Sequence, residues 1–516
     1  MASDTRFAVL DLGSTTFQLL VADADREGSL TPVFRDRVVL NLGRVLAGRG
    51  RIPEDVAARV GETARRLADL AVRMGADRVI PLATSALRDS PDRDALASLL
   101  EGAIGTRVRF IDGREEARLT FAGVTASVAL GEGPTLLLDL GGGSLEVALA
   151  GPEGLRWGRS LPIGAGRITG LLVAHDPPTR DERRAVRAAV EEAVAPLVEE
   201  VAAAEPARCV ASGGTAGALA RVIAARRWGT PPASLNQYEV TVSEIRDLTR
   251  ELASLSLAER LRVPAVDERR AGLLPAGGWI LTSAATELGA KRLVHSEWGL
   301  REGAVLDALG LADRPTPTPA ELRRRSVDRL VRAWGEDRGH VDVVARIARR
   351  LFDDTARLHG LGVPERELLE HAARLHEIGA RISPARLHKH GAYLVENAGL
   401  RGFTPDEIAM IASVVRFHRG KDPRPLYPPF AALSDPERET VVVLVGMLRI
   451  AHAIGRGPEG DRLEVATDLR DGVVHVLISG SGNPDAAVAE ARSAAALLGR
   501  TLRGTIEIGV GIAGRR

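Results

Sequence analysis

Two apolar rhythms share this chain. Up to about Leu309, strand-length apolar runs bounded by Asp, Gly and Ser/Thr alternate with segments whose apolar residues recur every three to four positions. The segment Leu136–Leu149, LLLDLGGGSLEVAL, shows the first rhythm best. A continuous apolar run reads as a buried strand, Asp139 and Gly141, Gly142, Gly143 and Ser144 make a turn, and an alternating strand leaves it. Phe7–Asp23 repeats that order with Asp11, Gly13, Ser14, Thr15 and Thr16. A third turn, Gly213, Gly214 and Thr215, follows the short apolar run at Cys209 and opens into a helical pattern. One such turn is equally a tight bend between core strands. Two far apart in sequence predict related halves facing each other across a phosphate. Glycine lets backbone N–H groups approach an anion, Ser144 adds a donor, and Asp139 and Glu146 are hard oxygen ligands of the kind Mg²⁺ shares with phosphates.

The remaining elements follow in order. Leu40–Gly50 reads as a loop, and Pro53–Met74 as an amphipathic helix. Arg78–Ala83 is a strand that delivers Thr84, Ser85 and Arg88 to its C-terminal end, where α/β sheets place ligand groups. Val108–Ile111 is another strand, ended by Asp112 or Gly113, and the helix after it carries Glu115 and Glu116 in its first turn. Acids there complement the helix dipole, worth about 0.3–1 kcal/mol. A strand–helix–strand crossover would also return them to the edge carrying Asp139, where a carboxylate could take a proton from attacking water. Asp181–Ala204 reads as one helix, and Ser296–Gly310 as a last strand turning into a helix.

Three prolines, Pro315, Pro317 and Pro319, make a stiff linker and the clearest boundary. Helical periodicity follows, carrying His340, His371, His376 and His418, and the tail Leu463–Gly511 alternates strand-like and helical pieces. The expected divisions are residues 1–130, 131–312, 320–458 and 459–516.

With 516 residues the chain is too long for one core, and a net charge of +1 provides no global field for nucleic acid or membrane. Basic residues are nearly all arginine, a bias that argues against weighting any single one. Cys209 is the only cysteine, which excludes disulfides and thiolate metal sites within the chain. No signal-peptide pattern leads the sequence, and Val441–Ile454 is interrupted by Arg449 and His452, so a cytoplasmic protein with no membrane span is expected.

In order along the chain, DLGSTTFQLLVAD, ATSALRDS, IDGREEARLTFAGV, DLGGGSLEV, SGGTAGALA and GLREG resemble the motifs of the exopolyphosphatase and guanosine pentaphosphate phosphatase family, within the actin and sugar-kinase superfamily. The resemblance implies an α/β fold of two actin-like (ribonuclease H-like) domains, then an all-α HD-like domain and a small α+β module. It implies Glu116 as catalytic base and Asp139 and Glu146 as ligands of Mg²⁺ (or Mn²⁺). Asp11, Gly13, Ser14 and Thr15, with Gly141–Ser144 and Gly213–Thr215, become phosphate cradles, and Arg88 a contact to a phosphate oxygen. Inorganic polyphosphate is the implied substrate and a homodimer the implied assembly. The rival readings are a guanosine pentaphosphate (pppGpp) 5′-phosphohydrolase and a kinase-like ATP-dependent enzyme.

The C-terminal helices resemble HD-type domains, with His340 and His376 in place but Glu377 and His452 standing where aspartates are expected. Independent metallophosphohydrolase activity is therefore not expected there. The histidines, with Arg416, Arg419 and Lys421, are expected instead to line a groove for a long polyanion.

Overall fold

The computed structural model describes residues 4–335, 338–456, 462–470, 473–481, 484–502 and 504–511. Two compact units, Met1–Leu322 and Arg323–Arg516, divide the chain. The division falls one turn inside the helix Pro319–Trp334, immediately past the proline-rich linker.

The first unit contains one sheet plan used twice. Strands β1 (Thr5–Leu12), β2 (Thr16–Ala24), β3 (Leu30–Val39), β4 (Arg78–Ala83) and β5 (Arg109–Phe110) lie in the order β3-β2-β1-β4-β5. The second half has β6 (Thr135–Leu140), β7 (Leu145–Gly151), β8 (Gly154–Leu161), β9 (Arg208–Ser212), β10 (Glu239–Thr241) and β11 (Arg292–His295). Its order is β10-β11-β9-β6-β7-β8. Leaving aside the edge strand β10, each sheet is an antiparallel three-strand meander continued by two parallel strands. Strand β6 shows why its run is continuously apolar. Leu136, Leu138 and Leu140 enter one core cluster and Leu137 the cluster on the opposite face.

Three local expectations change. Leu40–Gly50 is not a loop, because Leu42–Arg49 is a helix entered from Asn41 in the left-handed region at φ 54°. Its first turn is anchored by a tertiary bond from the Gly43 N–H to the Ser14 carbonyl, which no local periodicity announces. The helix expected over Asp181–Ala204 stops at Val194, passes through a 3₁₀ turn at Ala195–Leu197 and resumes at Val198. Pro196 has no N–H to continue the ladder. The last strand ends at His295, so the residues from Ser296 to Gly299 are a connection to the helix Leu300–Ala308.

The helix that carries Glu116, Gly113–Thr125, is clamped from two sides by glycines. A Cβ at Gly113 would overlap Ser160, and one at Gly158 would overlap Ala117, so the helix rests against β8 at van der Waals distance. A Cβ at Gly123 would overlap the Gly299 backbone, and one at Gly303 the Leu119 carbonyl, which fixes the helix against Leu300–Ala308.

In the second unit, helices Arg338–Asp354, Val363–Leu375, Pro405–Phe417 and Asp435–Gly455 bury their apolar faces in one core. Strands β12 (Leu463–Arg470), β13 (Val473–Gly480) and β14 (Thr505–Val510) form a sheet whose Leu463, Val476, Ile478 and Ile508 enter that same core. The helices Pro484–Ala494 and Ala496–Leu502 also enter that core, so the tail expected as a separate small module belongs to the same compact unit as the helices. The boundary expected at residues 458 and 459 lies outside the described residues. Among the described residues, no helix is long and apolar enough to cross a membrane.

Substituting Gly303→Ala should lower unfolding stability by about 1–3 kcal/mol, because overpacking against backbone outweighs the ~1 kcal/mol of helix propensity gained. Gly48→Ala, at a helix position with nothing within 4 Å of the added methyl, is the control that should not destabilise. Urea denaturation of the two variants checks both.

Candidate active site

The two hairpins place their acids identically. Asp11 pairs across its ladder with Gln18, and Asp139 with Glu146. Each turn closes with the same bond, Gly13 N–H to the Thr16 carbonyl at 3.1 Å and Gly141 N–H to the Ser144 carbonyl at 3.0 Å. Helix starts then take up the turn carbonyls: Ser14 O accepts from Gly43, Gly141 O from Ala165 and Gly142 O from Arg167. Because a peptide's N–H points opposite its C=O, the N–H groups of Thr15, Gly142 and Gly143 point away from those helices.

The turns meet closely. A Cβ at Gly142 would overlap the Thr15 hydroxyl, and one at Gly143 the hydroxyls of Ser14 and Ser85. Ser14 Oγ lies 2.6 Å from Ser85 Oγ and accepts from the Ala86 N–H at 3.0 Å, which locks β4's end to the first turn. Gly213 sits at φ +90° with the Leu140 carbonyl where a Cβ would be. Only glycine meets both demands. Gly214 has the Arg270 guanidinium packed on its α-carbon.

All these residues line one cleft of about 560 Å³ in the first unit: Asp11, Gly13, Ser14, Thr15, Glu116, Asp139, Gly141, Gly142, Gly143, Ser144, Glu146, Gly213, Gly214 and Thr215. Four carboxylates share its floor. Gln18 Nε2 donates to Asp11 Oδ2 at 3.2 Å, Thr120 Oγ1 to Asp139 Oδ2 at 3.3 Å, and Ser160 Oγ to Glu146 Oε1 at 2.8 Å. Glu116 Oε2 is buried without a hydrogen-bond partner. Burial raises Asp11 to about 6, and burial with the Asp139 charge raises Glu146 to about 7. Burial also raises Asp139. Glu116 is driven well above its ordinary value by burial first and the charges of Glu146 and Asp11 next.

Arg88 lies at the edge of this cleft. It lines a neighbouring recess with Arg114, Arg159 and Arg167 that shares Ser85 and Ser144 with the main cleft. Its Nη1 donates to the Ile111 carbonyl at 2.8 Å and lies 3.5 Å from Glu116 Oε2. The guanidinium thus faces the expected base.

A family model described as the Ppx/GppA phosphatase family matches residues 20–312, and one described as Ppx/GppA phosphatase domain III matches 322–476. The chain belongs to this family. Exopolyphosphatase 1 of Mycobacterium tuberculosis is 31% identical over 331 residues, covering 64% of this chain and 95% of that protein. Exopolyphosphatase 1 of Mycobacterium leprae is 30% identical over 305 residues, 59% of this chain and 89% of that protein. The crystal structure of an exopolyphosphatase from Cytophaga hutchinsonii superposes with TM-score 0.55 over 59% of this chain and 98% of its own, at 24% identity, which carries the fold alone. The Aquifex aeolicus family member gives TM-score 0.50 at 25% identity over 59% and 97%. These matches establish the paired actin-like α/β halves of the first unit.

Sequence reasoning missed four further cationic residues that line the cleft, Arg35, Arg37, Arg270 and Arg301. Arg37 is paired with Asp267, and Arg35 Nη2 donates to the buried Glu302 at 3.1 Å. Burial, with Arg37 and Arg301 adding to it, lowers Arg270 to about 10, so it remains cationic at neutral pH. A general abundance of arginine masked these four. The available signal was Arg301 inside the GLREG motif.

Gly143→Ala should cut turnover sharply and also lower the urea midpoint below that of Gly48→Ala, since the added methyl overlaps the buried, hydrogen-bonded hydroxyls of Ser14 and Ser85. Phosphate release and urea unfolding of the same preparation test this.

Proposed function

We infer that this chain is an exopolyphosphatase, releasing terminal phosphate from inorganic polyphosphate by hydrolysis. The observation that carries the reading is the cleft's mixed charge. Four carboxylates raised by burial line it together with Arg270 and Arg301, while Arg35 and Arg37 are paired with Glu302 and Asp267. A cation suits the carboxylates and an anion the guanidiniums, which is the demand of a metal-bound phosphoryl group.

Asp139 and Glu146, adjacent across their ladder, suit Mg²⁺ or Mn²⁺ because both offer hard oxygen donors in a deep polar cleft. A divalent ion held there would neutralise charge on the terminal phosphate. The chain's own groups do the rest. Turn N–H groups and the hydroxyls of Ser14, Thr15 and Ser144 hold the phosphate oxygens, and Arg270 and Arg301 hold the polyanion's next units. Glu116, fixed by its glycine clamp, accepts a proton at Oε2 from the attacking water, while Arg88 limits its otherwise large rise in basicity. No covalent enzyme intermediate is needed.

One feature favours a second reading, pppGpp 5′-phosphohydrolase. Past Gly217 the cleft gains an apolar side of Ala218, Ala233 and Leu235 that could receive a nucleoside. Phosphate release from long polyphosphate, pppGpp and ATP, measured side by side with Mg²⁺, separates the readings. Polyphosphate should be fastest, and a clear preference for ATP would overturn both phosphatase assignments.

In that assay Glu116→Gln should lose about 10²–10⁴-fold in rate. Its stability should hold or rise, since ionising a carboxyl whose folded pKa is raised opposes folding. Asp139→Asn should raise the Mg²⁺ concentration required, and full activity of that variant in chelator would remove the metal role. The Ppx/GppA phosphatase family model ends at residue 312, and the mycobacterial relative matches 64% of this chain over 95% of its own length. A chain ending after Asp313 should therefore still release phosphate from short polyphosphate. Inactivity of that folded fragment would place a required group in the second unit.

A further inference from the structure

The histidines of the second unit do not line a surface groove. His376, His418 and His452 are buried, and four residues distant in sequence bring possible metal ligands together: His340, His376, Glu377 and His452. One ligand atom from each lies within 4.8 Å of all the others. His376 Nε2 is 3.1 Å from His452 Nδ1 and 3.9 Å from Glu377 Oε1, and His340 Nε2 is 3.5 Å from Glu377 Oε2. A tetrahedral ion with ligands at ~2.0–2.1 Å needs them roughly 3.3 Å apart. The observed separations bracket that value.

The outer nitrogens point the same way. His340 Nδ1 donates to the Gly455 carbonyl at 3.0 Å, His376 Nδ1 to the Ala373 carbonyl, and His418 Nδ1 to the Val415 carbonyl at 2.7 Å. Each bond fixes the tautomer that turns an Nε2 lone pair inward, the outer support typical of metal-bound imidazoles. A metal-free hydrogen-bond chain accounts for part of the cluster. Arg419 donates to His452 Nε2 at 3.1 Å, and His452 Nδ1 can then donate to His376. Neither that chain nor the four-ligand set includes His418 Nε2, which is buried without a hydrogen-bond partner.

We propose that His340, His376, Glu377 and His452 bind one borderline transition-metal ion, Zn²⁺ or its Co²⁺ equivalent, separate from the hard-ion site of the first unit. Three imidazoles and one carboxylate favour such ions over Mg²⁺. Arg419 is the gate. It holds His452 Nε2 and, through Nη2, Glu377 Oε1 at 3.1 Å, so a metal-bound His452, which needs its proton on Nε2, requires Arg419 to let go.

The test uses the full chain, stripped with chelator and titrated with Co²⁺ in excess Mg²⁺, which occupies the hard-oxygen site. One equivalent should bind, with the strong visible bands of tetrahedral nitrogen-ligated cobalt, and Zn²⁺ should displace it. Glu377→Gln should weaken binding at least about tenfold while phosphate release stays unchanged. Arg419→Gln should tighten it. His376→Ala should abolish the bands, with a far-UV spectrum confirming the fold. Absence of the tetrahedral spectrum in the parent chain, or equal binding by Glu377→Gln, overturns the proposal.

Discussion

The first unit depends on one approach, that of two hairpin turns closer than a β-carbon allows. Gly142 against Thr15, and Gly143 against Ser14 and Ser85, bring β-sheets from separate halves to a single point. That contact alone would be pliable. Helix starts grip the turn carbonyls from behind, and the glycine seams of Gly113–Thr125 hold the acid-bearing helix against both halves. Rigid placement of this kind is what transfer chemistry at phosphorus asks of a protein, which contributes position and field more than covalent reactivity.

Electrostatically, the cleft is costly as it stands. Carboxylates raised by burial share it with Arg270, itself lowered by burial, while Arg35 and Arg37 are paired with Glu302 and Asp267. Buried carboxylates left so incompletely paired are expensive. That cost fits the reading proposed above, in which a cation and a phosphate polyanion supply the missing charges.

The legibility of this arrangement in the sequence follows from the range of the interactions. Turn, acid and hydroxyl lie within six residues in each hairpin, so Asp11–Thr16 and Asp139–Ser144 could be read directly, as could the N-terminal position of Glu116. The helix Leu42–Arg49 could not, because a carbonyl from a different hairpin organises its first turn. Arg88 was legible as a cleft-side cation but not as a neighbour of Glu116, since that depends on how the Ser85–Arg88 turn meets the next helix. The buried histidines were hardest. Their residues come from four helices or helix ends spread from His340 to His452, and only packing of the whole second core reveals that they converge.

The duplicated hairpins also differ in one informative way. Their backbones are interchangeable, yet opposite Asp11 stands Gln18, whose amide donates, while opposite Asp139 stands Glu146, which repels. A pseudo-twofold pocket would otherwise offer a linear, repetitive polymer two equivalent directions of entry. Exchanging an amide for a carboxylate concentrates the negative potential in the second half and gives the pocket a polarity. On the proposed reading, the chain end with its higher charge and its cation would then take one seat, and the polymer's interior the other.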